Sequence, residues 1–410
     1  MTPRIPELLA PAGNLEKLET AILYGARAVY LGGPAMNLRA QSAGFGWQEL
    51  AEAITLAHAS GVAAYLCLNA LPRQQDLPQL AEAMDRVADM ADAARPDALI
   101  IADPGVLMMA RRRLPHIPVH LSTQANTANS ESAAFWREFG VTRVNLAREL
   151  GLRGIRDIAH ALPGLELEVF AHGAMCMAVS GRCVLSAHMN ARSANLGQCT
   201  HPCRFNYAVR AVAVEERTRP GELAWEIHEE DGWSSILAAE DLCLVKFAPW
   251  FARTGVSALK IEGRMKSGGY LAQVLDAYAT ALTDFAAGTF RPAAYLAELT
   301  NTASRPLTTG FFLPGDRRIS YPRPEEPRPV LARVTERIDD DAWTVAIRSK
   351  WDATAPVRVI APGLKRPMLS AEDYALENEL GERVVTGHSG TTLTLRAAHP
   401  ALRKGLFLRS

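Results

Sequence analysis

Four of the chain's six cysteines fall in one short stretch, MCMAVSGRCVLSAHMNARSANLGQCTHPC, residues 175–203. They are Cys176, Cys183, Cys199 and Cys203, spaced C-x6-C-x15-C-x3-C. Zinc ribbons and fingers usually present two tight cysteine pairs, and only the second pair here qualifies. An iron–sulfur cluster gives each thiolate a separate corner and tolerates wider gaps. Spacing alone therefore leaves three states open: a cluster, a zinc ion, or reduced thiols. From Val169 to Val214 there is no Asp or Glu, while Arg182, Arg192, Arg204 and Arg210 carry positive charge. Such a surround stabilises an anionic cluster and would equally meet phosphate. His172, His188 and His201 are alternative ligands, with hydrogen-bonding or surface roles as their plainer reading. Cys243, in AAEDLCLVKF, reads as a core residue on an apolar helical pattern and is the rival fourth ligand to Cys203. Cys67, in AAYLCLNA, reads as core.

A second set of chemistry-bearing residues sits where apolar runs end: Asn69, Asp103, Arg148 with Glu149, His172, and Lys260 with Glu262 and Arg264. In HLSTQAN, Ser122, Gln124 and Asn126 alternate, which on a strand puts all three on one face. LKIEGR places Lys260 and Glu262 on a common face by the same arithmetic, as a substrate-orienting pair or a simple buried ion pair. Arg39, Arg148 and Arg264 suit a carboxylate, which a guanidinium grips with two parallel hydrogen bonds. We take His172, Arg148, Lys260, Glu262 and Arg264 as catalytic candidates, and Arg39, Asn69, Ser122, Gln124 and Asn126 as substrate-binding ones. The plain alternative for each is a solvated strand end.

The elements that must position these residues follow a βα rhythm. Expected strands are Glu7–Ala12, Ala28–Gly33, Ala63–Ala70, Ala98–Asp103, Val119–Asn126, Arg143–Leu150, Leu167–Ala174 and Ala258–Arg264. Between them, segments such as NLEKLETAILYG keep a 3.6-residue apolar period closed by glycine. The first turn, PAGNLEKLE, lacks the GxGxxG of a dinucleotide-binding sheet, so a (β/α)8 TIM-like barrel is expected. The rhythm breaks after the seventh strand. An insertion over 175–240 holds the cysteines and VEERTRPGELAWEIHEEDGW, expected as a hairpin or lobe. Residues 1–320 form the expected catalytic domain, 321–329 a proline-rich linker, and 330–410 a small C-terminal β-barrel domain.

Lysines plus arginines equal aspartates plus glutamates at 44 each, so any RNA contact must be local. The opening MTPRIPELLAPAG has no basic end leading into an apolar core, and no long uncharged apolar run follows. These features point to a cytoplasmic protein away from membranes. In that reducing setting, clustered cysteines indicate a metal or redox site rather than disulfides. Neither HExxH nor GxSxG occurs.

The stretch EVFAHGAMCMAVSGRCVLS resembles the signature of the U32 peptidase family at Glu168, Phe170, Gly173, Ala174, Cys176, Gly181, Cys183 and Ser186. ELLAPAG, AVYLGG, DALIIADPG, HLSTQAN, CTHPCRFNY and SALKIEGRMKS continue the resemblance across the expected catalytic domain. It implies a [4Fe-4S] cluster on Cys176, Cys183, Cys199 and Cys203. Several branches of the family are implicated in hydroxylation. The branch sharing CTxxCR-x-x-Y implies a tRNA partner held at its anticodon, conversion of wobble uridine 34 to 5-hydroxyuridine, and prephenate as a small carboxylate co-substrate. Other branches imply a cytidine of 23S ribosomal RNA, a ubiquinone precursor, or, by the family's name, a peptide. Where the family often shows SKDL, this chain has AEDL ending at Glu240–Leu242, so a role for that serine and lysine is not carried over.

Overall fold

A computed structural model describes residues 3–34, 44–175, 179–183, 185–190, 192, 194–196, 198–204, 228–230, 233–235, 240–263, 265–314, 317–322 and 328–410. Arg39, Cys176, Arg264 and positions 323–327 of the proline-rich segment lie outside the described residues.

The chain alternates β1 (Glu7–Ala12), α1 (Leu15–Leu23), β2 (Ala28–Gly32), α2 (Trp47–Ala59), β3 (Ala63–Leu68), α3 (Leu77–Ala88), β4 (Ala98–Ile101) and α4 (Pro104–Arg113). It continues through β5 (Val119–Leu121), α5 (Ser130–Glu138), β6 (Val141–Asn145), α6 (Leu152–Ala161) and β7 (Glu166–Ala174). The inserted region holds α7 (Leu185–Asn190) and the paired strands β8 (His228–Glu230) and β9 (Trp233–Ser235), and β10 (Asp241–Cys243) follows it. Then follow α8 (Ala248–Thr254), β11 (Ala258–Ile261), α9 (Gly268–Ala286), α10 (Pro292–Thr302), β12 (Leu307–Thr308) and β13 (Ser320–Tyr321). Strands β1 to β7 pair in parallel in sequence order, and β11 joins β7 to β1 in parallel. The molecule is thus a closed (β/α)8 barrel.

Local sequence explains why the units start and stop where they do. Asn14 accepts the Lys17 amide at 2.9 Å and opens α1, while Ser267 accepts the Tyr270 amide at 3.2 Å and opens α9. Asp103 caps α4 through the Val106 amide at 3.0 Å, with Pro104 at the first helical position. This strand-end carboxylate is therefore spent on a helix. Leu8, Val29, Leu31, Leu66 and Leu99 face outward into the helical layer, whereas Leu9, Tyr30, Tyr65, Cys67 and Ile100 form a second cluster facing the barrel axis. Alternation along each strand divides the two sets.

Strand β7 is longer than the barrel needs. Its lower part pairs with β11, and its upper part pairs antiparallel with β10, through Ala174↔Asp241, Gly173↔Leu242 and His172↔Cys243. Strands β12 and β13 extend that edge. Cys243 is accordingly a strand residue and not helical; it is buried in the outer core, where burial pushes its thiol pKa up to about 11. Gly173 is required where the strands converge: its φ is +107°, and a Cβ there would lie 2.3 Å from the Glu262 carbonyl oxygen.

From Val330 to Arg409 the chain forms an eight-stranded antiparallel half-barrel around Val345, Leu395 and Phe407. It docks on α9 and α10 through buried charge. Asp276 accepts Arg366 at 2.7 Å and the Gly363 amide at 2.6 Å, and Glu298 accepts Arg366 and Arg409 at 2.8 Å each and Arg409 again at 2.9 Å. Among the described residues no helix is long and apolar enough to cross a membrane.

Candidate functional site

Two corrections to the strand ends reshape the site. Strand β5 stops at Leu121, because Ser122 starts a 3-10 turn over Thr123–Ala125 that closes at Asn126 with a left-handed φ of 57°. Ser122, Gln124 and Asn126 therefore do not share one strand face. Strands β6 and β11 end at Asn145 and Ile261, so Arg148 and Glu262 stand on the loops beyond. Loop positions are where barrel enzymes carry their chemistry.

Below that rim, the barrel axis is filled by an ionic network. Arg143 on β6 reaches Glu7 at 2.7 Å and Glu166 at 2.8 Å, and its guanidinium stands 5.3 Å from the Tyr65 ring. Lys260 donates to Glu168 at 2.8 Å, and Asn145 donates to the same oxygen at 2.8 Å. The buried partner of Lys260 is thus Glu168, one strand over, and not Glu262. The ammonium of Lys260 also sits 4.6 Å from the Tyr30 ring centre and 5.7 Å from that of Phe170.

This network sets its neighbours' protonation. Burial, then the Arg143 and Lys260 charges, push the His120 imidazole down to about 2. It is a neutral ring edge-on to Tyr65. Burial opposes the Arg143 charge, but Glu7, Tyr65 and Glu168 outweigh it and raise the guanidinium pKa. The second Glu168 oxygen, the Asn145 carbonyl oxygen and His120 Nδ1 are buried without a hydrogen bond among the described residues. Arg143 lies 3.8 Å from that Glu168 oxygen, an ion pair without a hydrogen bond.

The rim gathers most of the remaining candidates. Asn69 donates to Ser122 at 3.5 Å. Arg148 lies 3.9 Å over the Phe170 ring and donates to the Ala174 carbonyl at 3.2 Å, which ties the sixth loop to the end of β7. Glu262 is 3.5 Å from the Tyr30 hydroxyl, and its amide donates to the His172 carbonyl at 2.8 Å. His172 is not with them. Its ring is 1% exposed and packs against Tyr270 and Tyr278 of α9, at centroid distances of 6.0 and 5.6 Å. Burial, then Lys266, push its pKa down to about 3.

The cysteine segment is tied onto this rim. Glu149 accepts the Ser180 amide at 2.7 Å and its hydroxyl at 2.6 Å. Arg182 donates to the Gln124 carbonyl at 2.7 Å, Asn126 to the Val179 carbonyl at 3.3 Å, and the Leu71 amide to the Asn195 carbonyl at 3.2 Å. Three rim loops thus hold one segment. Ser180 and His201 adopt left-handed backbone, at φ 42° and 58°, the kind of local cost found at functional turns.

Cys183, Cys199 and Cys203 are half-buried in this segment. Cys183 Sγ accepts the Leu185 amide and Cys199 Sγ the His201 amide, each at 3.4 Å. Amide donors at sulfur fit thiolates that ligate a cluster, whose charge such bonds tune. His201 Nδ1 stands 3.9 Å from Cys199 Sγ. Among the described residues, no three His, Cys, Asp or Glu side chains are grouped to hold a metal ion; Cys176 is outside them.

Sequence reasoning missed Glu7, Arg143, Glu166 and Glu168 as a unit. The signal was present: charged or polar residues alternate with apolar ones in RVN and ELEVF, within strands otherwise largely buried.

A (β/α)8 barrel whose seventh strand runs into a cysteine-bearing cover, pinned over the carboxyl ends of the strands, defines a barrel scaffold with its polar centre under that cover. The chain belongs to peptidase family U32, whose model matches residues 13–320. It is 37% identical over 340 residues to tRNA hydroxylation protein P of Escherichia coli, covering 75% of this chain and 74% of that one. It is 41% identical over 309 residues to the protein of the same name in Helicobacter pylori, covering 75% and 71%. Against tRNA hydroxylation protein P1 of Bacillus subtilis, the identity is 37% over 310 residues, covering 75% and 71%.

Proposed function

We propose that this chain is an RNA-modifying hydroxylase that takes part in converting wobble uridine 34 of tRNA to 5-hydroxyuridine, with prephenate as co-substrate. Its relatives' names support a tRNA hydroxylation role. The observation that carries the reading is the tethering of the cysteine segment over a polar barrel by Ser180–Glu149 and Arg182–Gln124. A base reaching the barrel's carboxyl end must leave its stack. Asn69, Ser122, Gln124 and Asn126 supply amides and hydroxyls to read its edge. Arg148, with Lys260 set deeper, supplies positive charge for the carboxylates of the co-substrate. Glu168 fixes the Lys260 ammonium at 2.8 Å, so that charge is pre-oriented.

The cofactor in this proposal is a [4Fe-4S] cluster on Cys176, Cys183, Cys199 and Cys203, which supplies redox or oxygen-donor-binding chemistry when bound. The peptidase reading needs a nucleophile beside a base, and His172 is enclosed by Tyr270 and Tyr278 on α9.

The test is nucleoside mass spectrometry of tRNA from cells with and without the protein, with oxygen-dependent hydroxylation routes removed. Loss of 5-hydroxyuridine at position 34 is expected, and unchanged levels sink the reading. Anaerobic purification should yield a brown protein that Cys203→Ser bleaches and Cys243→Ser does not. A colourless protein with stoichiometric zinc refutes the cluster.

A further inference from the structure

A cleft of about 1000 Å³ separates the barrel from the C-terminal half-barrel. One wall comes from the loop opening α1, the loop after β11 and the end of α10; the other comes from residues 328–330, 348, 349 and 407 of the second domain. The lining includes four cations, Lys17, Lys266, Arg328 and Arg348, against one acid, Glu16. That acid is already engaged, by Arg348 and by Arg333 at 3.7 Å. Even counting Asp241, which stands 3.6 Å from Lys266, the cleft carries net positive charge in a chain whose formal charge is zero. Asn14, Asn301, Thr302 and Ser349 add amides and hydroxyls along it.

We infer that this cleft binds the phosphodiester backbone of the RNA whose base enters the barrel, an inference that rests on the function proposed above. Its size and shape favour an extended polyanion. Open to solvent along its length, it would leave a small dicarboxylate largely exposed, whereas a specific pocket buries most of its ligand's surface. Its position also fits. Tyr270 lines the cleft, and its hydroxyl stands 3.5 Å from the Glu262 carbonyl oxygen at the rim. Lys266 reaches to 3.6 Å from Asp241, the register partner of Ala174 at the start of the cysteine segment. A strand laid in the cleft thus passes directly beside the rim. The two walls are held in place by Asp276 and Glu298 with Arg366 and Arg409, so the cleft is preformed.

The experiment measures tRNA affinity of the full chain across salt concentrations. The variants are Lys17→Ala/Arg328→Ala, its conservative counterpart Lys17→Arg/Arg328→Lys, and Arg153→Glu on the exposed outside of α6. Each phosphate contact contributes about one to the slope of log affinity against log salt. The alanine pair should lower that slope by about two and weaken binding roughly tenfold or more at low salt. The conservative pair should restore both, and Arg153→Glu should match wild type. Wild-type affinity and slope in the alanine pair overturn the cleft while leaving the tRNA reading intact. Unchanged tRNA binding with a raised requirement for the carboxylate co-substrate also overturns it. A wild-type chain that neither binds tRNA nor changes its hydroxyuridine overturns both.

Discussion

The molecule holds two buried ionic networks that differ in whether their acceptor oxygens are all bonded. Between the domains, both oxygens of Asp276 and both oxygens of Glu298 accept hydrogen bonds, from Arg366, Arg409 and the amides of Gly363 and Leu364. Inside the barrel, one Glu168 oxygen, the Asn145 carbonyl oxygen and His120 Nδ1 have none among the described residues. The network between the domains has all its carboxylate oxygens bonded, leaves a donor, Arg409 Nε, without a partner among the described residues, and fastens surfaces together. A network with acceptor oxygens left unbonded in a fold's polar centre holds them ready at a cost in stability. The contrast separates residues that build the molecule from residues set aside for a ligand.

The largest expected effect tests that division in the barrel. The double variant Lys260→Met/Glu168→Gln removes both charges of a buried pair, and such replacements are often near neutral for folding. Its thermal midpoint should stay within a few degrees of wild type, while hydroxyuridine output falls by about a hundredfold or more. A stable variant with full output breaks the comparison. Next comes Glu298→Ala, which takes the carboxylate partner from Arg409 and one of two carboxylate partners from Arg366 at the domain interface. It should cost about 3–5 kcal/mol in denaturant unfolding and leave hydroxyuridine output per folded molecule unchanged at saturating tRNA.

The smallest effect concerns acid. The imidazoles of His120 and His172 are held at about 2 and about 3, below the ordinary 6.5. Folded, they stay neutral; unfolded, they take up protons below about pH 6.5. The stability they contribute is full above that pH and is lost as pH falls. Going from pH 7 to pH 5.5 should lower stability by about 2–3 kcal/mol through these two groups. His120→Gln should remove about half of that dependence. No reduction would place the acid sensitivity elsewhere.

The eight-strand rhythm, the barrel and the second β-domain were legible because apolar periodicity reports burial directly. Strand ends were less so. HLSTQAN alternates like a strand, yet Ser122 turns the chain after Leu121 and Asn126 takes a left-handed conformation that sequence leaves open. His172 was expected at the rim because it closes an apolar run; a break in register between Lys260 and Ile261, beside Gly173, places its ring on α9 instead. The Arg143–Glu7–Glu166 cluster needed register as well. Glu166 lies beside Arg143, but Glu7 is on a strand far away in sequence, and only closure of the barrel brings it within 2.7 Å.

The pairing of Ala174 with Asp241 has a consequence for how such a chain can change over time. The residues that flank 175–240 meet at one hydrogen-bonded doorway, so the barrel's strands pair without depending on the length of chain between. Doubling a flexible loop's length adds only about 0.6 kcal/mol of closure entropy. Insertions and deletions inside the doorway are therefore cheap for the barrel, and the cover can be rebuilt for a new substrate while the eight strands beneath keep their register.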